Sequence, residues 1–175
     1  MASLLIPVSE HDHLQGPADA PLTLLQYGDL QCPHCALLHP HLTEIAHELR
    51  DSLRLAYRHF PLVEIHPQAP RAAEAAEAAA SQGRFWEMVS LLYANQDRLD
   101  EDSLVRYAKK VNVDARRFKK EMTSGVHAAR VRADYLGGVR TGVKGTPTLF
   151  INGETYQGKF ETHALVGALL QASRR

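Results

Sequence analysis

The chain has 175 residues, 45% of them hydrophobic and 23% charged, with 20 Lys plus Arg against 20 Asp plus Glu. That length predicts one folding unit with a substantial core, and the charge balance leaves no net field to recruit nucleic acid or an anionic membrane. No run of about 18 uncharged apolar residues suits a membrane span. The opening MASLLIPVSEHDH has only Leu4-Leu5-Ile6 before Pro7, too short for a signal-peptide core. The sequence as written therefore predicts a cytoplasmic protein, or a periplasmic or extracellular one if the chain is a processed form.

In chain order, Pro21 to Gly28 (PLTLLQYG) is a short apolar run bounded by Pro and Gly-Asp, the pattern of a buried strand. Leu38, Leu42, Ile45, Ala46 and Leu49 then recur at spacings of three and four, the stripe of an amphipathic helix over Ala36 to Leu49, with Pro40 expected to kink it. Leu53 to Phe60 (LRLAYRHF) alternates until Pro61 ends it, so strand, helix and strand predict a βαβ unit with parallel strands.

From Pro67 to about Gly137 every signal is helical. RAAEAAEAAAS, Arg71 to Ser81, has the strongest helix-forming composition and stops at Gly83. Phe85 to Tyr93 follows; Asp100 or Asp102 can cap Ser103 to Val111, and Asp114 can cap Ala115 to Thr123. A segment from Val126 to Leu136 is expected to end at Gly137-Gly138. Then TLFI, Asn152-Gly153 and ETYQ predict a hairpin with a type I′ turn, and Glu161 to Ala172 a last helix with Leu165, Leu169 and Leu170 inward.

The chain's two cysteines and three of its ten histidines fall in GDLQCPHCALLHPH, Gly28 to His41. A pair separated by two residues closes too small a loop to stabilise a fold, so a redox or metal role is expected. Cys32 opens a helix after a strand, where unpaired N–H groups and the dipole favour a thiolate. Pro33 fixes the turn, and His34, when protonated, adds positive charge beside Cys32. Thiols in such settings have pKa values lowered to roughly 3.5 to 7.5. A thiolate this stable leaves easily, which makes the disulfide form oxidising. Cys35, one turn deeper, is expected to be buried, with a higher pKa, and to act as the resolving thiol.

Strand, CPHC, a helix containing Pro40 and a late Gly145-Thr146-Pro147 before a hairpin resemble the thioredoxin fold, and specifically the DsbA-like thiol:disulfide oxidoreductases. His13, Gly16-Pro17 and Ala20-Pro21 match an opening some of those proteins share. The resemblance covers nearly the whole chain. It implies an α/β thioredoxin fold (βαβ plus ββα around a mixed sheet), with residues 18–66 and 138–175 forming the core and 67–137 a helical insertion of about 70 residues. It implies a cis Thr146-Pro147 peptide beside the dithiol, with Thr146 and Pro147 binding extended substrate, so unfolded or partly folded proteins are the expected substrates. The redox centre would be the Cys32-Cys35 disulfide with no other cofactor, and a redox partner protein or glutathione would reset it. One departure is Gln26, six residues before Cys32, where many such proteins carry a buried carboxylate that handles the second thiol's proton. Asp29 is the nearer carboxylate, expected at a partly solvated strand end. Slow resolution by Cys35 follows, with Gln26→Glu expected to speed it.

The rival reading is a non-catalytic metal-binding or redox-sensing module. Cys32, Cys35, His39 and His41 are zinc-type ligands within ten residues. On one helix, however, His41 points away from the others, and one helix cannot close a tetrahedron around a metal. No metal site is expected, and His39, His41 and His47 read as surface or boundary residues. A glutathione-dependent transferase or isomerase on the same scaffold would have no use for Cys35.

Overall fold

In the computed structural model, which describes residues 3–174, five strands and seven helices form one mixed sheet with helices on both faces. The elements are β1 (His13–Gln15), β2 (Leu22–Gly28), α1 (Pro33–Glu48), β3 (Leu53–His59), α2 (Ala69–Ala80), α3 (Phe85–Tyr93), α4 (Glu101–Lys110), α5 (Ala115–Ser124), α6 (Ala128–Thr141), β4 (Thr148–Ile151), β5 (Glu154–Tyr156) and α7 (Thr162–Ala172). The sheet order is β1-β3-β2-β4-β5. β2 and β3 are parallel, as the βαβ pattern requires, with Gln26 opposite Tyr57. β4 runs antiparallel to β2 and turns into β5 through Asn152 and Gly153, both at positive φ.

Strand alternation divides the core. Leu22 and Leu24 of β2 and Leu53 and Leu55 of β3 pack under Leu38, Leu42 and Ile45 of α1 and Leu165 and Leu169 of α7. Leu25, Tyr27, Ala56 and Phe150 point to the opposite face, where Phe60 and Val143 cover them. α2 is buried almost all round, and its alanines pack against Phe85, Met88, Tyr107 and Phe118 of the neighbouring helices. Cys32 and Cys35 belong to this last cluster, so the helical insertion is part of the floor beneath the dithiol.

Two local features, β1 and the end of α6, differ from the sequence reading. β1 adds an antiparallel edge to β3, fixed by Arg58, whose guanidinium donates to both Asp12 carboxylate oxygens at 2.6 and 2.9 Å and to the carbonyls of Ile6 and Pro7. α6 runs through Gly137-Gly138 and ends at Gly142, whose φ is +88°. Those two glycines do not stop the helix; a Cβ on Gly138 would meet the Phe60 ring at 2.6 Å, so the missing side chain permits close packing. α1 continues past Pro40 to Glu48, and Pro40 leaves the Ala36 carbonyl without its helical donor. Asp100 and Asp114 cap α4 and α5 through their carboxylates, as their positions predict.

Candidate active site

The site starts at the end of β2. Asp29 is 1% exposed, not partly solvated as its strand-end position suggests. One carboxylate oxygen accepts from the backbone N–H groups of Gln31 at 2.7 Å and Cys32 at 3.1 Å; the other accepts from Leu62 N–H and His66 Nδ1–H, both at 2.8 Å. Four donors compensate its burial. The same carboxylate thereby joins the turn that presents Cys32 to the loop after β3. Gln96, just beyond α3, donates from its amide to the carbonyls of Leu30 and Cys32 at 3.0 and 2.9 Å, and Gln31 and Gln68 exchange hydrogen bonds. The turn before Cys32 is thus held from two segments distant in sequence, the loop between β3 and α2 and the residue Gln96.

Cys32 is the N-cap of α1 and Pro33 occupies its first turn, where no N–H is needed. The Cys32 thiol lies 3.5 Å from the Thr146 carbonyl and donates to it. Its pKa is lowered to about 5. The Cys35 thiol donating to the Cys32 sulfur is the largest cause, opposed by burial and reinforced by the Thr146 side chain and the N–H groups of Cys35 and His34. Cys35 is fully buried, and burial followed by its contact with the Cys32 sulfur pushes its pKa far above the thiol range. Both thiols are free. The two sulfurs therefore differ sharply: one ionises readily and the other holds its proton.

Thr146-Pro147 is a cis peptide. Thr146 and Pro147 line two grooves of about 480 Å³ each. One runs along Gly142, Lys144 and Gln157; the other is walled by His34, Leu37, His41 and Phe160. His34 is exposed within the second groove. Leu37, Val63 and Ile65 stand 71, 54 and 68% exposed, the last two in the loop tied down by Asp29. Leu37 thus gives the second groove an apolar wall, and Val63 and Ile65 add exposed apolar surface on the loop that Asp29 ties to the Cys32 turn.

Gln26 is buried on the α1 side of the sheet and its amide nitrogen has no partner. Beside it Tyr57 and Tyr93 share a hydroxyl–hydroxyl hydrogen bond of 3.1 Å, and burial raises both phenols well above their ordinary range. His39 and His41 do not converge on the sulfurs: His39 Nε2 pairs with Ser90 Oγ at 2.8 Å and His41 Nδ1 with Thr162 Oγ1 at 2.9 Å.

Among the described residues one group has metal-ligand chemistry, His13, His59 and Glu77, contributed by β1, β3 and α2. Both imidazoles donate from Nε2 to the same Glu77 oxygen, at 2.5 and 2.8 Å. Tetrahedral zinc ligands stand about 3.3 Å apart. The trio is a hydrogen-bonded tie as it stands. Burial opposes ionisation of Glu77, but the hydrogen bonds from His13 and His59 outweigh it and hold the carboxyl well below its usual range. His66, Gln68, Gln96, Glu77 and Tyr93 carry no local motif that would mark them beforehand; they reach the site from elements brought close only by the fold.

Two unequal thiols at a helix N-terminus, set against a cis-proline loop on a five-stranded mixed sheet, sit in a thioredoxin fold that carries a helical insertion. A family model described as Thioredoxin matches residues 8–170, and the chain belongs to that family. Its fold is shared with alpha-DsbA1 of Wolbachia pipientis (TM-score 0.84, 21% identity, covering 98% of this chain and 94% of that one). BdbD of Bacillus subtilis is similar too (0.82, 19%, 94% of each chain), as is a thioredoxin-like oxidoreductase of Silicibacter pomeroyi (0.84, 22%, 95% of each). In sequence, the chain is 41% identical over 170 residues to Na(+)/H(+) antiporter NhaA 3 of Salinispora tropica. It is 40% identical over 171 residues to NhaA 1 of Mycolicibacterium gilvum. These matches cover 97 and 95% of this chain but only 26 and 27% of the relatives, so the chain spans about a quarter of their length. Among the described residues no helix is long and apolar enough to cross a membrane.

Proposed function

We propose that the chain is a protein thiol:disulfide oxidoreductase of oxidising character, with Cys32 as the exchanging sulfur and Cys35 as the resolving one. The observation that carries this reading is the asymmetry of the pair: Cys32 has a pKa near 5, and Cys35 is sealed beneath it with its proton held. In the disulfide form, a substrate thiolate attacks Cys32, joins it in a mixed disulfide and releases Cys35. A second substrate thiol then attacks the substrate sulfur, closes the substrate's own disulfide and expels Cys32 as a thiolate. A leaving group of low pKa favours that last step.

Thr146 and Pro147 hold the incoming chain where the two grooves meet, through backbone pairing with an extended segment. The exposed apolar side chains of Leu37, Val63 and Ile65 suit unfolded or partly folded polypeptide. His34 and Pro33 tune the dithiol from between the sulfurs. A redox partner protein or glutathione returns the reduced pair to the disulfide, and no further cofactor takes part. Antiport in the longer relatives is not carried over to this chain.

The test is the Cys32/Cys35 reduction potential against a glutathione buffer. The expected value lies well above the roughly −270 mV of thioredoxin. A value at or below that figure removes the oxidising character.

A further inference from the structure

When Cys35 attacks a mixed disulfide it must shed its proton in a place the substrate grooves do not reach. On the sheet, Tyr57 interacts with Cys35 but burial keeps its phenol protonated, and Gln26, beside Tyr57 on β2, is an amide and cannot take a proton. The residue four positions along α1 is His39, and an i, i+4 pair shares one helix face with Cβ atoms about 6 Å apart. The His39 ring is partly buried against Tyr93, with centroids 5.1 Å apart, and its Nε2 is held by Ser90 Oγ at 2.8 Å. His39 also lines a 190 Å³ cavity between α1, α3 and the sheet, together with Gln26, Trp86, Glu87 and Ser90. That volume accommodates several waters at about 30 Å³ each. The unpartnered Gln26 amide nitrogen is the buried donor at its inner end, and the exposed Ser90 and Glu87 stand at its outer end.

We propose that His39, acting through water held in this cavity by Gln26, accepts the Cys35 proton during resolution and passes it outward past Ser90. The inference rests on the thiol–disulfide reading above. In the step, a sulfur–sulfur bond forms between Cys35 and Cys32 while the bond between Cys32 and the bound group breaks. The electron pair of the broken bond departs with that group as a thiolate, and the Cys35 proton moves through water to His39. No outside oxidant is needed. In reverse, protonated His39 returns the proton to Cys35 as it is expelled.

The groups around His39 are Cys35 on its own helix and Tyr93 and Glu87 from α3, with Tyr57 of β3 behind Tyr93 in a hydroxyl–hydroxyl hydrogen bond. Both tyrosines remain protonated over the working range, and Glu87 is paired with Arg84 at 2.9 Å. Burial lowers the His39 pKa, so the ring is neutral and able to accept at pH 7. Resolution should slow as pH falls through the His39 pKa, below its ordinary value of about 6.5.

Rapid mixing of the reduced protein with oxidised glutathione separates the two steps. Attack by Cys32 is bimolecular and is read alone in Cys35→Ser, whereas resolution appears as a unimolecular plateau. In His39→Gln, resolution at pH 7 should fall roughly 100-fold, within the range general-base catalysis supplies. It should also lose its dependence on pH below 6.5, while the Cys32 attack rate stays within about twofold. Adding Gln26→Glu to His39→Gln should restore most of the rate, and free imidazole should rescue His39→Ala. Resolution unchanged within about twofold in His39→Gln overturns the proposal, and so does a loss that neither rescue repairs, which would mark a packing role. Failure of Cys32 to exchange with glutathione in any variant would sink the thiol–disulfide reading itself.

Discussion

The Asp29 carboxylate accepts the backbone N–H of Cys32 at 3.1 Å while its other oxygen holds the loop after β3, so one buried side chain sets where the Cys32 sulfur stands. Asp29→Ala would leave the N–H groups of Gln31 and Leu62 and the His66 Nδ1–H without their acceptor, while the Cys32 N–H keeps the residue 29 carbonyl at 3.1 Å. Hydrogen bonds to a charged group are each worth about 1.5 to 3 kcal/mol and are not additive. The expected loss is about 3 to 5 kcal/mol, seen as a lower urea midpoint with an unchanged slope. A midpoint within error of wild type would show that the loop is held by other contacts.

Cys32 should titrate near pH 5 in the reduced protein, read by thiolate absorbance at 240 nm or by alkylation rate. Its folded pKa lies below the unfolded range of about 8 to 9. Between the two values the unfolded chain binds the extra proton, so the stability of the reduced form rises with pH from about 5 to about 8.5. It is lost as pH falls through 5. Cys35 has the opposite sign, because its raised pKa contributes stability that disappears above the unfolded thiol pKa. Melting the reduced protein across this range checks both signs, and a thiolate midpoint near 8.5 contradicts the site geometry.

Glu77 joins three elements through two histidines, and its folded pKa lies below its unfolded value. Its stabilisation is present above the unfolded carboxyl pKa of about 4.3 and is lost as pH falls below it. Glu77→Gln should therefore cost about 3 kcal/mol at neutral pH and flatten the acid limb of the stability curve. An unchanged acid limb would assign acid unfolding to other groups.

Two glycines should respond oppositely to alanine. Gly138 has the Phe60 ring 2.6 Å from where a Cβ would sit, so Gly138→Ala overpacks the α6 contact and costs about 1 to 3 kcal/mol. Gly167, inside α7, has nothing within 4 Å, so Gly167→Ala should gain about 0.5 to 1 kcal/mol from helix propensity. Thermal midpoints of the pair measure both, and a stabilised Gly138→Ala would refute the packing account.

Much of this architecture was legible residue by residue. The CPHC motif, Thr146-Pro147, the Asn-Gly turn and the carboxylate caps are local signals, and each falls where local chemistry puts it. What was hidden depends on distance. β1 is three residues long, with no room for alternation to show, and exists because Arg58 and Asp12 pair across 46 positions. Gly137-Gly138 read as a stop because glycine is a poor helix former; the sequence did not show Phe60 lying against them. Asp29 looked solvated because two of its donors come from Leu62 and His66. His39 reads as a surface or boundary residue and is half-buried, as a boundary residue is; its partners Ser90 and Tyr93 lie on a helix too far along the chain for the sequence to show.

The most direct test of the central reading traps the exchange itself. The disulfide form is mixed with a reduced, unfolded protein carrying two thiols, and Cys35→Ser is incubated with the same protein in its oxidised state. Wild type should oxidise the dithiol with loss of its own Cys32-Cys35 bond, Cys32→Ser should do nothing, and Cys35→Ser should accumulate a mixed disulfide through Cys32. Oxidation that persists in Cys32→Ser, or a Cys35→Ser variant that captures no substrate, would contradict the account.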